Sequence, residues 1–177
     1  MGTVTTRAAT ASDVHLVWSL INDYAQGHPA ENHRRPVAAI REAYFGPTPR
    51  SRILLAERDQ EPVGFAAWRR VFEIYWALDG GEMDALYVKP PARGHGLAAV
   101  LLAAVCADIR EQGGQFLRGT YTENVARLYE RVAVAHRQFE CNLSAAAFQS
   151  VAGLAGCGAR DILRGLPSKD LNFRKSV

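Results

Sequence analysis

A strand pattern that runs directly into a glycine-containing turn and then an apolar helical stripe constrains this chain most strongly. Residues 82–88 alternate in the period of two that is typical of a β-strand. Pro90 and Pro91 cannot donate to a sheet ladder, so the strand is expected to end just before them. From Gly96 apolar residues recur every three to four positions as far as Gly113, which predicts a helix between these glycines.

The turn at residues 93–99 is suited to bind a phosphate. Amides at a helix start have no partner within the helix, and the helix dipole makes this end positive. Gly94 and Gly96 would let a ligand approach the backbone closely. An ordinary strand-to-helix turn is the simpler alternative.

Two known phosphate-binding patterns fit this turn less well. A P-loop needs a lysine followed by serine or threonine, and residues 95–97 supply neither. The dinucleotide pattern Gly94-x-Gly96-x-x-Ala99 fits loosely, but it requires an acidic residue about 20 positions later. Residues 115–118 contain no carboxylate.

The run Arg93-x-x-Gly96-x-Ala98, preceded by residues 86–90, resembles the acetyl-CoA motif of the GNAT superfamily of N-acetyltransferases. Residues 6–10, 62–66 and 128–130 are similar to the family's first strand, third strand and late motif. The resemblance implies an α/β (α+β) fold in a single GNAT-like domain. Its central sheet would be mixed, mostly antiparallel, with six to seven strands splayed at the fourth and fifth, and flanked by helices.

The resemblance also implies a set of residues that bind acetyl-CoA. The backbone of the fourth strand would pair with the pantetheine arm, and the amides of the turn would bind the pyrophosphate, with Arg93 adding positive charge. The implied residues are Leu86, Tyr87, Val88, Arg93, Gly94, His95, Gly96, Leu97, Ala98, Ala99 and Asn124.

Acetyl transfer to an amine requires a base, because an ammonium group with a pKa near about 10.4 must first lose a proton. Glu82 and Asp84 are the candidates, since alternation places them on one strand face together with Leu86 and Val88. By resemblance, Glu82 corresponds to the base of histone-type acetyltransferases and Asp84 to that of a spermidine/spermine acetyltransferase. Both could equally be solvated residues at a strand start.

The leaving thiolate requires a proton donor, and by resemblance this is Tyr129. A tyrosine with a pKa of about 10 can protonate a thiolate whose thiol has a pKa of about 8.5. Family members place the asparagine further ahead of the tyrosine, so Asn124 and Tyr129 cannot both align without a gap. A packed aromatic residue on a short helix is the alternative role for Tyr129.

The flanking patterns predict one domain over residues 1–158 and a C-terminal extension over residues 159–177. Periodicity predicts the following elements: a strand at 4–8, helices at 13–26 and 36–45, strands at 52–57 and 63–76, and a late helix at 144–156. The last strands have no clear pattern.

Charge and composition limit the kinds of partner that the chain is expected to bind. The 177 residues carry a net charge of +3, and residues 159–177 alone hold five basic and two acidic residues, also +3. The neutral body argues against nucleic-acid binding. We find no apolar run of membrane length, and neither the three cysteines nor the five histidines have a metal-binding spacing, so we expect no metal and a cytoplasmic protein.

The predicted function is transfer of an acetyl group from acetyl-CoA to a primary amine of a small molecule. The alternative is a non-catalytic acyl-CoA-binding or scaffold module with the same fold. Carboxylates at Glu73, Asp79, Glu82 and Asp84 lie near Phe72, Tyr75 and Trp76 and could attract a cationic acceptor, although solvated turn residues explain them as well. Apolar residues in the extension, including Leu163 and Phe173, suggest a homodimer contact.

Overall fold

The computed structural model describes residues 4–26, 35–120, 150 and 164–165. Its helices and strands are β1 (Val4–Ala8), α1 (Val14–Gln26), α2 (Val37–Phe45), β2 (Arg52–Arg58), β3 (Glu61–Glu73), β4 (Leu78–Val88), α3 (Leu97–Glu111) and β5 (Leu117–Gly119). Short 3-10 turns at Ala11–Asp13 and Pro90–Ala92 precede α1 and α3.

The strands form one sheet in the order β1-β2-β3-β4-β5. The first four strands are antiparallel to their neighbours, and β5 is parallel to β4. The mixed, mostly antiparallel sheet predicted from the sequence is therefore confirmed. The described part of the chain supplies five strands, and the sixth and seventh predicted strands would fall after residue 120, outside the described residues.

Apolar clusters cover both faces of the sheet. One cluster joins α1 and α2 to the sheet and includes the buried residues Val17, Leu55, Phe65 and Tyr87. The other lies beneath α3, whose predicted stripe of Leu97, Leu101, Val105 and Ile109 is buried. Successive strand residues such as Leu54 and Leu55 belong to opposite clusters, as the pleat requires.

The structure corrects several predicted strand boundaries: β3 begins at Glu61 instead of 63, β4 begins at Leu78 instead of 82, and β3 also ends earlier than predicted. Strand β3 ends at Glu73 and residues 74–77 form a turn, so the prediction that residues 74–76 belong to the strand is wrong. Ile74, Tyr75 and Trp76 are 77%, 92% and 61% exposed there. Their β-propensity favours a strand, but Ala77 has a φ of 51° and reverses the chain instead.

The distribution of residue contacts divides the chain into two units, Met1–Ala133 and Val134–Val177. All the elements named above lie in the first unit. The described residues of the second unit, Ser150, Arg164 and Gly165, are helical. The rest of the predicted helix 144–156 lies outside the described residues, and the division at 158/159 stays a prediction. None of the helices in the described ranges is long and apolar enough to cross a membrane.

Candidate active site

A β-bulge at Asp84 divides strand β4. Ala67 of β3 is opposite Ala85, but the next β3 residue, Trp68, is opposite Met83, so Asp84 has no partner across the pair. An extra residue of this kind reverses the alternation of faces beyond it.

The bulge separates residues that simple alternation grouped together. Leu86 and Val88 pack beneath α3 with Met83. Glu82 and Asp84 instead bond to one guanidinium on the opposite face, the α1 and α2 face. The prediction that the two carboxylates share a face is confirmed, but the prediction that Leu86 and Val88 share that face is wrong.

The bulge also decides which backbone groups of β4 face its outer edge. Lys89 N donates to Val63 O of β3 at 2.9 Å. Because backbone groups alternate in direction along a strand, those of Tyr87 also point towards β3, whereas those of Leu86 and Val88 point away from β3. Among the described residues β5 pairs with β4 only at residues 81–83. Within the described residues, the backbone groups of Leu86 and Val88 therefore lie on the β4 edge beyond the segment that pairs with β5.

Arg93 links the end of β4 to the turn. Its Nε donates to Val88 O at 2.9 Å, and its guanidinium carbon lies 5.9 Å from the centroid of the Tyr87 ring. Tyr87 is itself held in the core by ring contacts with Tyr24 and Phe65. Within the described ranges the two Nη atoms of Arg93 have no bonded partner, so their charge remains available to a ligand.

Six consecutive amides are unpaired at the start of α3. Arg93 N donates to Pro90 O, and the first bond of the helix runs from Val100 N to Gly96 O at 3.1 Å. Within the described part of the chain, no carbonyl accepts from the N–H groups of residues 94–99 that lie between them.

Two glycines shape this turn. Gly94 and Gly96 have φ angles of 78° and 77°, and a β-carbon added to either would meet no atom within 4 Å. Such a turn, with free donors, open space and the positive end of a 15-residue helix, fits a pyrophosphate.

The two candidate bases belong to a chain of ion pairs. Arg69 bonds to Glu82 Oε1 and to Asp84 Oδ1. Arg118 Nε donates to Glu82 Oε2 at 2.9 Å, and Ser51 Oγ donates to Asp84 Oδ2 at 2.5 Å. Every oxygen of both carboxylates therefore already accepts a hydrogen bond.

Sequence analysis missed Ser51, Arg69 and Arg118. The register places Arg69 opposite Glu82, and also Arg118 beside Glu82 on β5. Only knowledge of the register would have identified these arginines, because they are 13 and 36 positions from Glu82 along the chain.

Tyr44 of α2 lies beside this cluster. Burial raises the pKa of its hydroxyl, the charge of Asp84 raises it further, and the charge of Arg35 opposes this change. Sequence analysis did not identify Tyr44, because no local pattern places it near Asp84.

Tyr129 and Asn124 lie outside the described residues, so their predicted roles stay predictions. Within the described ranges no three histidine, cysteine, aspartate or glutamate side chains are grouped so as to hold a metal ion.

Comparison with known families identifies the class of protein. Residues 17–133 match the model of the Acetyltransferase (GNAT) family. The chain therefore belongs to this family of acetyltransferases.

Individual relatives agree with this class. Mycothiol acetyltransferase of Cellulomonas flavigena is 32% identical over 120 residues, which are 62% of this chain and 33% of that protein. The chain thus spans about a third of the length of this curated relative.

Solved structures show the same fold at low sequence identity. A ribosomal-protein-alanine N-acetyltransferase from Brucella melitensis biovar Abortus 2308 aligns with a TM-score of 0.67 at 23% identity, covering 80% of this chain and 99% of that one. An aminoglycoside acetyltransferase from an uncultured soil metagenomic sample gives 0.69 at 15% identity, covering 81% and 99%. A predicted acetyltransferase from Clostridium acetobutylicum, solved with acetyl-CoA, gives 0.66 at 17% identity, covering 80% and 97%.

Proposed function

We propose that this chain transfers an acetyl group from acetyl-CoA to a primary amine of a small-molecule acceptor by direct attack. One observation carries the proposal. The amides of residues 94–99, unpaired within the described residues, follow directly on the β4 edge of Leu86 and Val88, where Arg93 Nε bonds to Val88 O. Together these groups form a run of polar backbone suited to an amide-containing arm that ends in a pyrophosphate.

The residues of this run take distinct roles in the proposal. Leu86 and Val88 bind the pantetheine arm through backbone groups, and Tyr87 supports them by packing in the core. The amides of Gly94, His95, Gly96, Leu97, Ala98 and Ala99 bind the pyrophosphate, with charge added by the Nη atoms of Arg93. Acetyl-CoA supplies the thioester whose acetyl group is transferred.

The proposed proton transfers start with the acceptor. A water molecule held by Glu82 or Asp84 takes a proton from the ammonium and passes a proton on to that carboxylate, which acts as the base. A bridging water is needed because the oxygens of both carboxylates already accept hydrogen bonds. The freed nitrogen forms the new C–N bond as the C–S bond breaks. Tyr129 donates a proton to the leaving thiolate, and Asn124 contributes to cofactor binding.

The names of the relatives support a small acceptor. Mycothiol and aminoglycosides, for which two of them are named, are small molecules. One structural neighbour is named for ribosomal-protein alanine. A test panel of acceptors therefore includes a peptide with N-terminal alanine beside small amines.

A second candidate function is a non-catalytic acyl-CoA-binding or scaffold module. One observation favours it, namely that donors occupy both oxygens of Glu82 and both oxygens of Asp84. Carboxylate oxygens that already accept hydrogen bonds are less accessible to the proton of a substrate amine.

Turnover distinguishes the two functions. The protein is mixed with acetyl-CoA and the amine panel while free thiol is measured, and acetyl-CoA binding is measured separately by calorimetry. Acceptor-dependent thiol release supports the transferase. Binding without release across the panel supports the module, and absence of binding contradicts both.

Replacement of Tyr129 by Phe tests the proton donor. We expect a fall in kcat of roughly 10²-fold, the range for loss of a general acid, with acetyl-CoA affinity nearly unchanged. An unaltered kcat removes Tyr129 from the mechanism.

We also propose that the protein acts in the cytoplasm, where cysteines stay reduced, and that it forms a homodimer through the apolar residues of its C-terminal extension.

A further inference from the structure

Arg69 occupies the position between the two candidate bases. It lies on β3 opposite Glu82, and its guanidinium bonds to Glu82 on one side and to the bulge residue Asp84 on the other. Its side chain is 46% exposed, so it lies at the protein surface. A planar guanidinium that bridges two carboxylates makes strong charge-assisted hydrogen bonds.

The cluster is almost neutral in charge. Among the described residues it contains three carboxylates, Glu73, Glu82 and Asp84, and two guanidinium groups, Arg69 and Arg118, which leaves one negative charge. Arg35 adds positive charge on the α2 side, where it lowers the pKa of Tyr44. The cluster therefore balances at most one ammonium group.

We infer that Arg69 is a specificity-determining residue, because its guanidinium fills the place that a further cationic group of an acceptor would take. This inference rests on the proposed transfer to an amine. This cluster then favours acceptors whose reacting amine is their only positive charge, and it disfavours polyamines. A second ammonium would have to displace Arg69 and lose its two charge-assisted bonds.

The variant Arg69→Gln tests the inference by its effect on the preference between two amine acceptors. The ratio of kcat/KM for spermidine to that for butylamine should rise about tenfold, since the variant exposes two carboxylates without adding a competing charge. Arg70→Gln is the matched control. Arg70 is the next residue on the strand, points to the other face and pairs with Asp79, so its ratio should stay at the wild-type value. An unchanged or lower ratio in Arg69→Gln overturns the inference.

A direct binding measurement covers the case in which Arg69→Gln does not fold. Calorimetry of the wild-type protein at low salt should show spermidine binding no more tightly than butylamine, and clearly tighter spermidine binding overturns the inference. If no amine is acetylated by any form, the proposed function fails. The calorimetric comparison then still decides the role of Arg69, so the two failures can be told apart.

Discussion

Gly96 and Gly113 take nearly the same left-handed backbone conformation close to opposite ends of α3, with φ angles of 77° and 83°. A β-carbon at either position would meet no atom within 4 Å. The two glycines therefore differ in location but not in local constraint. Only Gly96 lies in the turn with unpaired amides.

This pair permits a controlled test of the proposed pyrophosphate site. Gly96→Ala and Gly113→Ala should each lower the free energy of unfolding by about 1–2 kcal/mol, because alanine is strained at positive φ. Gly96→Ala alone should also weaken acetyl-CoA binding, by roughly tenfold or more, since its methyl group occupies space next to the free amides. Urea unfolding and calorimetry measure the two effects. Equal losses of affinity in both variants would contradict the proposed site.

At the scale of elements, hydrogen bonds to the side chain of Asp108 link α3 to the sheet. Its carboxylate accepts two bonds from Arg52 of β2 at 2.8 Å and one from Trp68 Nε1 of β3 at 2.9 Å. Asp108 is 9% exposed. The helix whose first turn carries the free amides is thus tied to two strands by one side chain.

Asp108→Asn should lower the free energy of unfolding by about 2 kcal/mol, because the amide nitrogen would face donors and one charge-assisted pair would be lost. Asp79→Asn is the control, since Asp79 forms a solvent-exposed pair with Arg70 that should contribute little to the free energy of unfolding. Chemical denaturation measures both values. Equal losses would show that burial of the Asp108 network has no special importance.

A second set of hydrogen bonds links Arg7 of β1 to Asp13, which directly precedes α1. Asp13 accepts two hydrogen bonds from Arg7, at 2.8 and 2.9 Å, and one from Thr10 N at 2.8 Å. The bond from Arg7 is the main cause that holds the pKa of Asp13 well below its usual range, and the Thr10 bonds act in the same direction.

A depressed pKa stabilises the folded state above the unfolded pKa of about 3.9 and loses this effect as the pH falls below it. The difference in unfolding free energy between wild type and Asp13→Asn should therefore be largest near pH 7 and shrink towards about pH 2. Arg7→Gln should lose the same pH-dependent part. Denaturation curves that stay parallel for wild type and Asp13→Asn over this pH range would refute the role of the pair.

At the scale of the whole molecule, the C-terminal extension carries the proposed homodimer contact. A chain ending at Gly158 lacks the apolar residues Leu163 and Phe173 and should have half the mass of the full chain in light scattering. We expect the mass to fall without loss of acetyl-CoA binding, because the free amides lie in the first unit. A full-length chain that is already monomeric rules the dimer out.

Local patterns predicted the framework of the molecule. The period of two over residues 82–88, the stripe of α3 and the glycines at 94 and 96 each depend on neighbours within a few positions. For this reason strands β1 to β4, the helices α1 to α3 and the turn between β4 and α3 could be located without tertiary contacts.

The bulge at Asp84 and the bridge made by Arg69 were decided only by the tertiary structure. Both depend on how β3 pairs with β4, and the pairing register comes from long-range packing that no local period encodes. The sequence by itself determined where a ligand's phosphates could bind, because helix starts and glycines are local features. Tertiary structure decided which backbone groups of β4 lie beyond the pairing with β5 and which donors the candidate bases bond to, because both depend on residues brought together from distant strands.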